Sequence, residues 1–288
     1  MFKIAVVTDS NSGISPIEAK ERGLYVMPMP FMIAGEPFYE DINLTQEDFY
    51  EKLKNNVDIS TSQPAVGEVI NLWDNLLKEY DQIVSIPMSS GLSKTCETAE
   101  LLSHEEEYEG KVFVVNNQRI SVTQRQAAFD ALELIQRGLS GKEIKEFLED
   151  RKFDSSIYIM VDTLKYLCKG GRVTPAGAAF GKIFGIKPVL QIQGEKLDAY
   201  AKVRGKKKAI VTMIEAMKND IKNRFGNDNS LMHMEVAYTF DKEAAEEFFE
   251  LVKKEFPNCI DYAMNPLSLS VSCHIGPGAL AIATSKKI

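Results

Sequence analysis

Residues 82–102 read QIVSIPMSSGLSKTCETAELL, and this stretch indicates the fold class. A run rich in β-branched residues, 82–86, ends at Pro87, and a helical pattern begins near Ser93. A short apolar run followed by an amphipathic helix predicts a strand–helix unit of a parallel sheet. The intervening loop is rich in hydroxyl groups and follows the carboxyl end of the strand, where doubly wound sheets bind ligands.

The rest of the first half repeats this alternation of short apolar runs and helical patterns. Further strands are predicted at 3–7 and 111–115, and helices at 15–23, 45–55, 67–80, 93–102, 118–137 and 142–151. Residues 24–33 are expected to be extended, but Pro28 and Pro30 argue against a central strand there. We therefore expect a three-layer α/β/α domain with a mainly parallel sheet over residues 1–154.

The second half has a different pattern. It contains a predicted strand at 156–161, a glycine- and lysine-rich helix–turn–helix at 164–188, and a hairpin of 189–192 with 197–203. A helix at 206–223, a strand at 231–238 and a helix at 241–256 follow. Hairpins mixed with helices predict an α+β domain with a mixed sheet over residues 155–288.

Composition excludes several classes of protein. The chain has 288 residues, 44% of them hydrophobic and 26% charged, as in globular proteins, and a net charge of −7 that argues against nucleic-acid binding. No apolar run approaches the ~18 residues of a membrane span, and the run in MFKIAVVTDS is too short for a signal peptide. We expect a cytoplasmic protein. Its four cysteines form no CxxC pair and are expected to be reduced and mostly buried.

Two hydroxyl-rich loops are candidates for anion binding. One is the loop from Ser89 to Thr95, and the other is TSQP, residues 61–64. Each precedes a helix, whose first N–H groups attract anions, although the hydroxyl groups can equally serve only as helix caps. The first loop lacks the second glycine of a P-loop and the final glycine of a GxSxG nucleophile elbow.

The three histidines of the chain lie in different sequence surroundings. His274 lies in HIGPG, where glycines on both sides of a proline fix a close-packed turn. It is either a structural residue or a donor to an anion. His104 lies in an acidic run and is expected to be exposed, and His233 is expected to pack on an alternating strand. Their spacing matches no metal-binding motif.

Basic residues stand out on this acidic chain. They occur in KGGR, which ends at Arg172, and in KVRGKKK, which contains Arg204. They form either a solvated surface or a docking patch for a phosphate or an acidic partner, because arginine suits bidentate phosphate contacts.

Six segments in this order resemble the DegV family of bacterial fatty-acid-binding proteins. The resemblance covers residues 3–284 and rests on VVTDS (6–10), TSQP (61–64), SSGLSKT (89–95), LKYLCKGGR (164–172), KVRGKKKA (202–209) and HIGPGALA (274–281).

The resemblance implies a two-domain protein that buries a long-chain fatty acid of about palmitate size near the domain junction. It implies that Thr61 and Ser93 hold the carboxylate, with His274 close to it. The neighbouring loop residues Ser62, Ser90, Gly91 and Lys94 would support the site. It further implies a separate fatty acid kinase subunit, which phosphorylates the bound acid for phospholipid synthesis, with Arg172 and Arg204 on the phosphate or kinase side. No catalytic centre, metal or cofactor is expected.

The chain departs from the family at two places, and two other functions stay open. Lys94 stands where the family commonly has glycine, and Asn116–Arg119 replace a usual Asp-Ser and glycine-rich turn. The alternatives are a lipid-dependent regulatory binding protein without substrate presentation, and a hydrolase that uses Ser93 and His274.

Overall fold

The computed structural model describes residues 2–179 and 186–288. These fall into two compact units, one of residues up to Lys152 with Ser268–Ser270, the other of Phe153–Leu267 and Val271–Ile288. The sequence did not indicate that Ser268–Ser270 group with the first unit. Residues 180–185 of the predicted helix–turn–helix lie outside the described residues, and its last three residues, 186–188, belong to a strand instead.

The first unit has two sheets, six α-helices and a short 3-10 helix at Ser10–Ser12 among its described residues. Its strands are β1 (Ile4–Asp9), β2 (Tyr25–Met27), β3 (Pro30–Ile33), β4 (Glu36–Tyr39), β5 (Ile59–Thr61), β6 (Gln82–Ile86) and β7 (Val112–Val114). Its helices are α1 (Pro16–Arg22), α2 (Gln46–Lys54), α3 (Val66–Leu76), α4 (Thr95–Ser103), α5 (Val122–Gln136) and α6 (Gly141–Asp150).

A parallel sheet of order β2-β1-β6-β7 forms the centre of this unit. Val7 of β1 packs with Trp73 of α3 and Cys96 of α4 on one face. The next residue, Thr8, points to the opposite face, where its hydroxyl accepts a hydrogen bond from Gln124 of α5. Helices therefore cover both faces of a parallel sheet, and every residue of β1 and β6 is buried.

A second, antiparallel sheet has the order β4-β3-β5. The expectation that the prolines exclude a central strand is wrong for residues 30–33, because β3 lies between the two other strands. Pro30 is the first residue of β3, a position where its missing N–H is tolerated. Its carbonyl oxygen still accepts a hydrogen bond from the Ser62 N–H at 3.1 Å.

The helix predicted at 118–137 begins only at Val122. Gln118 and Ser121 have φ angles of 57° and 56°, which no right-handed helix contains. Residues 116–121 are therefore an irregular connection after β7. Part of this connection is buried, including Asn117 and Arg119.

The second unit is built on a six-stranded mixed sheet. Its strands are β8 (Ser155–Met160), β9 (Ile186–Ile192), β10 (Asp198–Arg204), β11 (Met232–Tyr238), β12 (Asp261–Pro266) and β13 (Leu280–Lys286). The helices are α7 (Lys165–Gly170), α8 (Pro175–Ala178), α9 (Lys206–Asn223), α10 (Lys242–Glu255) and α11 (Leu269–Ile275), the last of which starts with residues of the first unit.

The sheet order is β10-β9-β8-β13-β11-β12, and the only parallel pair among these six strands is β11 with β12. Met217 of α9 and Phe248 of α10 pack with Met234 of β11 in the main core. The prediction of an α/β protein with one parallel and one mixed sheet is confirmed.

Within residues 2–179 and 186–288, no helix has the length and apolar character of a membrane span. The same residues contain no cluster of three or more His, Cys, Asp or Glu side chains suited to a metal ion. All four cysteines are free thiols. Cys96 and Cys273 are buried, Cys259 is half-buried and Cys168 is exposed, so only two of the four match the expected burial.

Candidate functional site

The loop between β6 and α4 is held in place by a buried carboxylate. Asp9, at the end of β1, is only 2% exposed and accepts a hydrogen bond from the Met88 N–H at 2.8 Å. The Ser89 N–H donates to the carbonyl oxygen of Arg119 at 2.9 Å, and the Leu92 N–H donates back to Ser89. Hydrogen bonds to Asp9 and to Arg119 therefore fix the hydroxyl-rich loop before α4 begins.

Ser93 and Thr95 form a hydroxyl pair at the start of α4. Their side-chain oxygens lie 2.8 Å apart, and the Thr95 N–H donates to Ser93 Oγ at 3.2 Å. The helix begins at Thr95, two residues later than predicted, and Lys94 at its cap position makes no capping side-chain hydrogen bond. Two hydroxyl groups next to the first N–H groups of a helix can donate to a carboxylate oxygen.

The neighbouring loop residues form hydrogen bonds and an ion pair of their own. Ser90 Oγ accepts a hydrogen bond from Asn116 Nδ2 at 3.0 Å, and the Gly91 N–H donates to Ser89 Oγ at 3.3 Å. The Lys94 side chain is 74% exposed and its Nζ lies 2.7 Å from a carboxylate oxygen of Glu97. The cation that departs from the family pattern is thus paired at the surface of α4.

The TSQP loop follows a strand of the small sheet rather than of the parallel sheet. Thr61, half-buried, ends β5 and pairs in register with Phe31. The Thr98 hydroxyl of α4 donates to Gln63 Oε1 at 3.3 Å, so this loop lies beside the helix that follows the Ser93 loop. This contact brings the two hydroxyl-rich loops side by side, although they follow strands of different sheets.

Helix capping does not explain the TSQP hydroxyl groups. The cap position of α3 is Ala65, whose N–H donates to Glu68 Oε2 at 2.9 Å. The Ser62 hydroxyl donates to the neighbouring Gln63 carbonyl oxygen at 3.1 Å instead. The sequence left helix capping and anion binding open for this loop. Ala65 occupies the cap position of α3, so capping does not account for these hydroxyl groups.

An open groove runs along this loop. It has a volume of about 370 Å³ and is lined by Pro30, Met32, Pro37, Tyr39, Ser62, Gln63, Pro64, Ala65, Val66 and Glu68. The Tyr39 hydroxyl donates to Glu68 Oε1 at 3.3 Å, and burial, with a smaller effect of Glu68, raises the pKa of Tyr39. Tyr39 therefore closes one side of the groove as a neutral phenol.

In the second unit, the structure brings the HIGPG and KGGR motifs together. The imidazole of His274, in the last turn of α11, lies directly against Gly170. The Arg172 guanidinium donates to the Gly170 carbonyl oxygen beside it. Burial, and to a lesser extent the charge of Arg172, lowers the pKa of His274 to about 4. At neutral pH this ring is uncharged and has one N–H donor.

The turn after His274 needs its glycines. Gly276 and Gly278 have φ angles of 80° and 82°, and a Cβ at residue 278 would lie 2.7 Å from a carboxylate oxygen of Asp162. Thr239, fully buried directly after β11, donates from Oγ1 to the Gly276 carbonyl oxygen at 2.7 Å and accepts from the Ala279 N–H at 2.9 Å. Sequence reasoning missed Thr239, whose only signal is a hydroxyl residue after a predicted strand.

The basic segment forms an exposed positive surface. Arg204 ends β10, and α9 starts at Lys206 with three lysines and without an acidic residue in its first turn. These charges add to the positive pole of an 18-residue helix instead of opposing it. The ion pair between Lys206 and Asp241 is long, with 3.9 Å between Nζ and the carboxylate oxygen. The surface is suited to an anionic partner.

The other histidines lie elsewhere. The His104 side chain is 70% exposed and sits 3.6 Å from Glu100, which confirms the predicted exposure. His233 is mostly buried on β11, and its Nδ1 lies 3.0 Å from both carboxylate oxygens of Asp261 on β12. The predicted packing of His233 thus includes a polar partner.

Comparison with known proteins gives one consistent result. A family model described as "Uncharacterised protein, DegV family" matches residues 3–287. The chain is 31% identical to the protein DegV of Bacillus subtilis over 284 residues, 98% of each chain. A structure of DegV from Bacillus subtilis, described as a fatty acid binding protein, has a TM-score of 0.86 at 30% identity over 100% of both chains. A DegV family protein from Thermus thermophilus, described by its fatty acid binding, has a TM-score of 0.89 at 26% identity over 99% of both chains.

Proposed function

The chain belongs to the DegV family, and on that basis we propose that it binds a long-chain fatty acid and presents it to a fatty acid kinase subunit. The observation that carries the proposal is the full-length likeness to two structures described as fatty acid binding, at 30% and 26% identity. The hydroxyl pair at the start of α4 and the neighbouring TSQP loop supply the donors that a carboxyl group requires.

The acyl chain accounts for most of the affinity. A fatty acid of about palmitate size has ~15 apolar carbons, whose transfer from water is worth roughly 12 kcal/mol before the costs of association. A neutral hydrogen bond at the head group adds only about 1 kcal/mol. An enclosed apolar tunnel would therefore set affinity, while the polar residues would set orientation and prevent an unpaired buried carboxylate.

We assign the carboxyl group to Thr61, Ser93 and His274. The Ser93–Thr95 pair places two hydroxyl groups at a helix N-terminus, which favours an ionised head group. His274 with a pKa of about 4 would donate one neutral N–H rather than a full charge. Ser62, Ser90, Gly91 and Lys94 then shape the two loops instead of carrying the ligand's charge.

We assign the contacts with phosphate and with the kinase to the basic residues. Arg204 and the lysines at the start of α9 form an exposed cationic surface suited to phosphate or to an acidic kinase face. Arg172 is beside His274 and would meet the developing acyl phosphate. In this proposal the chain has no catalytic centre, metal or cofactor of its own, acts in the cytoplasm and supplies acyl phosphate to phospholipid synthesis through its kinase.

Reconstitution tests this function. The protein, loaded with radiolabelled palmitate, is mixed with a fatty acid kinase subunit and ATP, and acyl phosphate is trapped with hydroxylamine. ATP-dependent hydroxamate that requires this protein supports presentation. Tight palmitate binding without any hydroxamate would favour the alternative function, that of a regulatory lipid-binding protein that does not present its ligand to a kinase.

The hydrolase alternative has a simple assay of its own. Nitrophenyl esters of several chain lengths are incubated with the protein, and release of nitrophenol is followed by absorbance. Hydrolysis that disappears in both Ser93→Ala and His274→Ala would replace the binding proposal with an esterase, whereas the proposed function predicts no turnover above background.

A further inference from the structure

The turn between β11 and α10, within the second unit, holds an aromatic residue in a strained conformation. Phe240 has a φ angle of 66°, in a region that bulky side chains rarely enter. The Asp241 N–H donates to the Thr239 carbonyl oxygen at 2.8 Å, so Phe240 is the central residue of a three-residue γ-turn. The form of this turn with positive φ is rare and strained. Glycine or asparagine would occupy the position at a lower cost.

Packing does not account for a phenylalanine in this turn. Phe240 is 67% exposed, more than Phe2 and Phe153, which are 52% exposed each. A side chain gains hydrophobic stabilisation in proportion to the apolar area that it buries, and most of this ring stays in contact with solvent. Backbone strain is concentrated at functional positions, where the surrounding structure imposes it.

Both neighbours of the strained residue are fixed by hydrogen bonds. The Thr239 N–H donates to the Ala279 carbonyl oxygen at 3.1 Å, and its carbonyl oxygen accepts from the Gly278 N–H at 3.2 Å. On the other side, the Asp241 carboxylate caps α10 and accepts from the Ala244 N–H at 3.0 Å. The exposed ring is therefore attached to a backbone that is held in place before and after it.

This turn lies beside the basic surface at the start of α9. Asp241, the residue after Phe240, has a carboxylate oxygen 3.9 Å from Lys206 Nζ. Lys207 and Lys208, the next two residues of α9, are exposed. An exposed aromatic ring and several cations thus lie together on the second unit. Aromatic residues are enriched in protein–protein interfaces and often carry much of the binding energy.

We propose that Phe240 is the apolar anchor by which the basic surface docks an acidic partner protein, inserting its ring into an apolar pocket of that partner. The cations select a partner of opposite charge. In the proposed function this partner is the kinase subunit, so the inference rests on that function and deepens it. An anionic membrane would also attract the lysines, but a fluid lipid surface needs no ring fixed in one position. A protein pocket does, because a preorganised anchor loses less entropy on binding.

The test removes the ring and keeps two controls. Phe240→Gly removes the ring and relieves the turn, whereas Phe240→Tyr keeps an aromatic side chain. Phe153→Ala removes another exposed ring of the second unit. The Phe153 carbonyl oxygen accepts a hydrogen bond from Arg224, which follows the opposite end of α9. That helix has 18 residues and is about 27 Å long, so this control lies far from the basic surface.

Binding of each palmitate-loaded variant to an immobilised fatty acid kinase subunit is followed by surface plasmon resonance at low and high salt. Phe240→Gly should raise the dissociation rate about tenfold and leave palmitate affinity unchanged. Phe240→Tyr and Phe153→Ala should dissociate within about twofold of the natural rate. Lys207→Ala should instead slow association and weaken its dependence on salt, because exposed charges act mainly on the encounter.

Urea unfolding separates an anchor from a residue that serves the fold. Because glycine adopts positive φ without strain, Phe240→Gly should unfold at a urea concentration no lower than the natural chain does. A lowered unfolding midpoint would show that the ring stabilises the second unit, and it would overturn the inference.

An unchanged dissociation rate in Phe240→Gly would also overturn the inference, while acyl phosphate formation with the natural chain would leave the proposed function standing. Sedimentation with phosphatidylglycerol vesicles tests the membrane. Vesicle binding that is lost in Phe240→Gly, together with unchanged kinase binding, would replace the protein partner with a lipid surface. If the natural chain forms no acyl phosphate with the kinase and does not bind it, the proposed function fails, and the inference fails with it.

Discussion

Gly170 lies so close to the imidazole of His274 that a methyl group at residue 170 would overlap Nδ1. Gly170 is the last residue of α7, and its φ is not in the left-handed region. The backbone would therefore accept alanine, and the need for glycine arises from the histidine ring. This contact links the KGGR and HIGPG motifs, since the His274 ring leaves no room for a side chain at residue 170.

The first prediction concerns this contact. Gly170→Ala should displace the His274 ring and weaken palmitate binding about tenfold, a larger effect than the loss of one hydrogen bond. A titration with labelled palmitate measures it, and the NMR signal of His274 should move in the free protein. Gly67→Ala is the control, since nothing lies within 4 Å of a Cβ there. Unchanged affinity in Gly170→Ala would remove His274 from the site.

The second prediction concerns the two hydroxyl loops. Thr61→Ala and Ser93→Ala should each weaken palmitate binding about fivefold, because each removes one of the donors that we propose for the carboxyl group, worth ~1 kcal/mol. Methyl palmitate, which has no ionisable head group, should lose much less. Ser60→Ala is the matched control, since Ser60 points to the opposite side of β5 and is exposed. Natural affinity in the double variant would show that the head group lies elsewhere.

The third prediction separates lipid binding from phosphate transfer. Arg204→Ala should leave palmitate affinity unchanged and slow kinase-dependent acyl phosphate formation about tenfold. Lys222→Ala, an exposed cation in the last turn of α9, controls for the loss of one positive charge. Release of palmitate from Arg204→Ala would place this residue in the lipid site instead of the proposed kinase-docking surface.

The fourth prediction concerns Glu40, which accepts the Leu269 N–H. Burial, opposed by that hydrogen bond and increased by Asp41, raises the pKa of Glu40 from 4.5 to about 7. Between these two values the unfolded chain loses a proton that the folded chain keeps, so the contribution of Glu40 to the free energy of unfolding is complete below pH 4.5 and is lost as the pH rises to about 7.

Glu40→Gln should remove this decline and stabilise the protein at pH 7.5 by about 1 to 2 kcal/mol, a range reduced for partial exposure. Urea unfolding at several pH values measures the free energy of unfolding. Glu36→Gln, an exposed position on the neighbouring strand, is the control. An identical pH dependence in Glu40→Gln and the natural chain would show that this carboxyl group titrates normally.

Much of the fold was predictable because its signals are local. The strand 82–86 and the hairpin before α9 have strong periodicity or turn residues, and both were found. The small sheet was not, since its strands have three or four residues and Pro30 and Pro37 argue against them. The helix start at Val122 was missed because non-glycine residues with positive φ leave no mark in the sequence.

The candidate site was predictable only as separate motifs. The resemblance picked out Thr61, Ser93 and His274, and the contact of His274 with Gly170 then emerged from the structure. Asp9, which holds the Ser93 loop, could not be found in this way, because its hydrogen bond with the Met88 N–H joins residues 79 positions apart. Lys94 stood out in the sequence as a departure from the family, but in the structure it is paired with Glu97 at the surface.

The central claim, that this chain holds a fatty acid, is tested most directly by native mass spectrometry of the protein as purified from cells. The account predicts an added mass equal to one long-chain fatty acid, which organic extraction releases and lipid analysis identifies. It also predicts that the stripped protein takes up one equivalent of palmitate. A protein that carries no lipid and takes up none when palmitate is added would contradict the account.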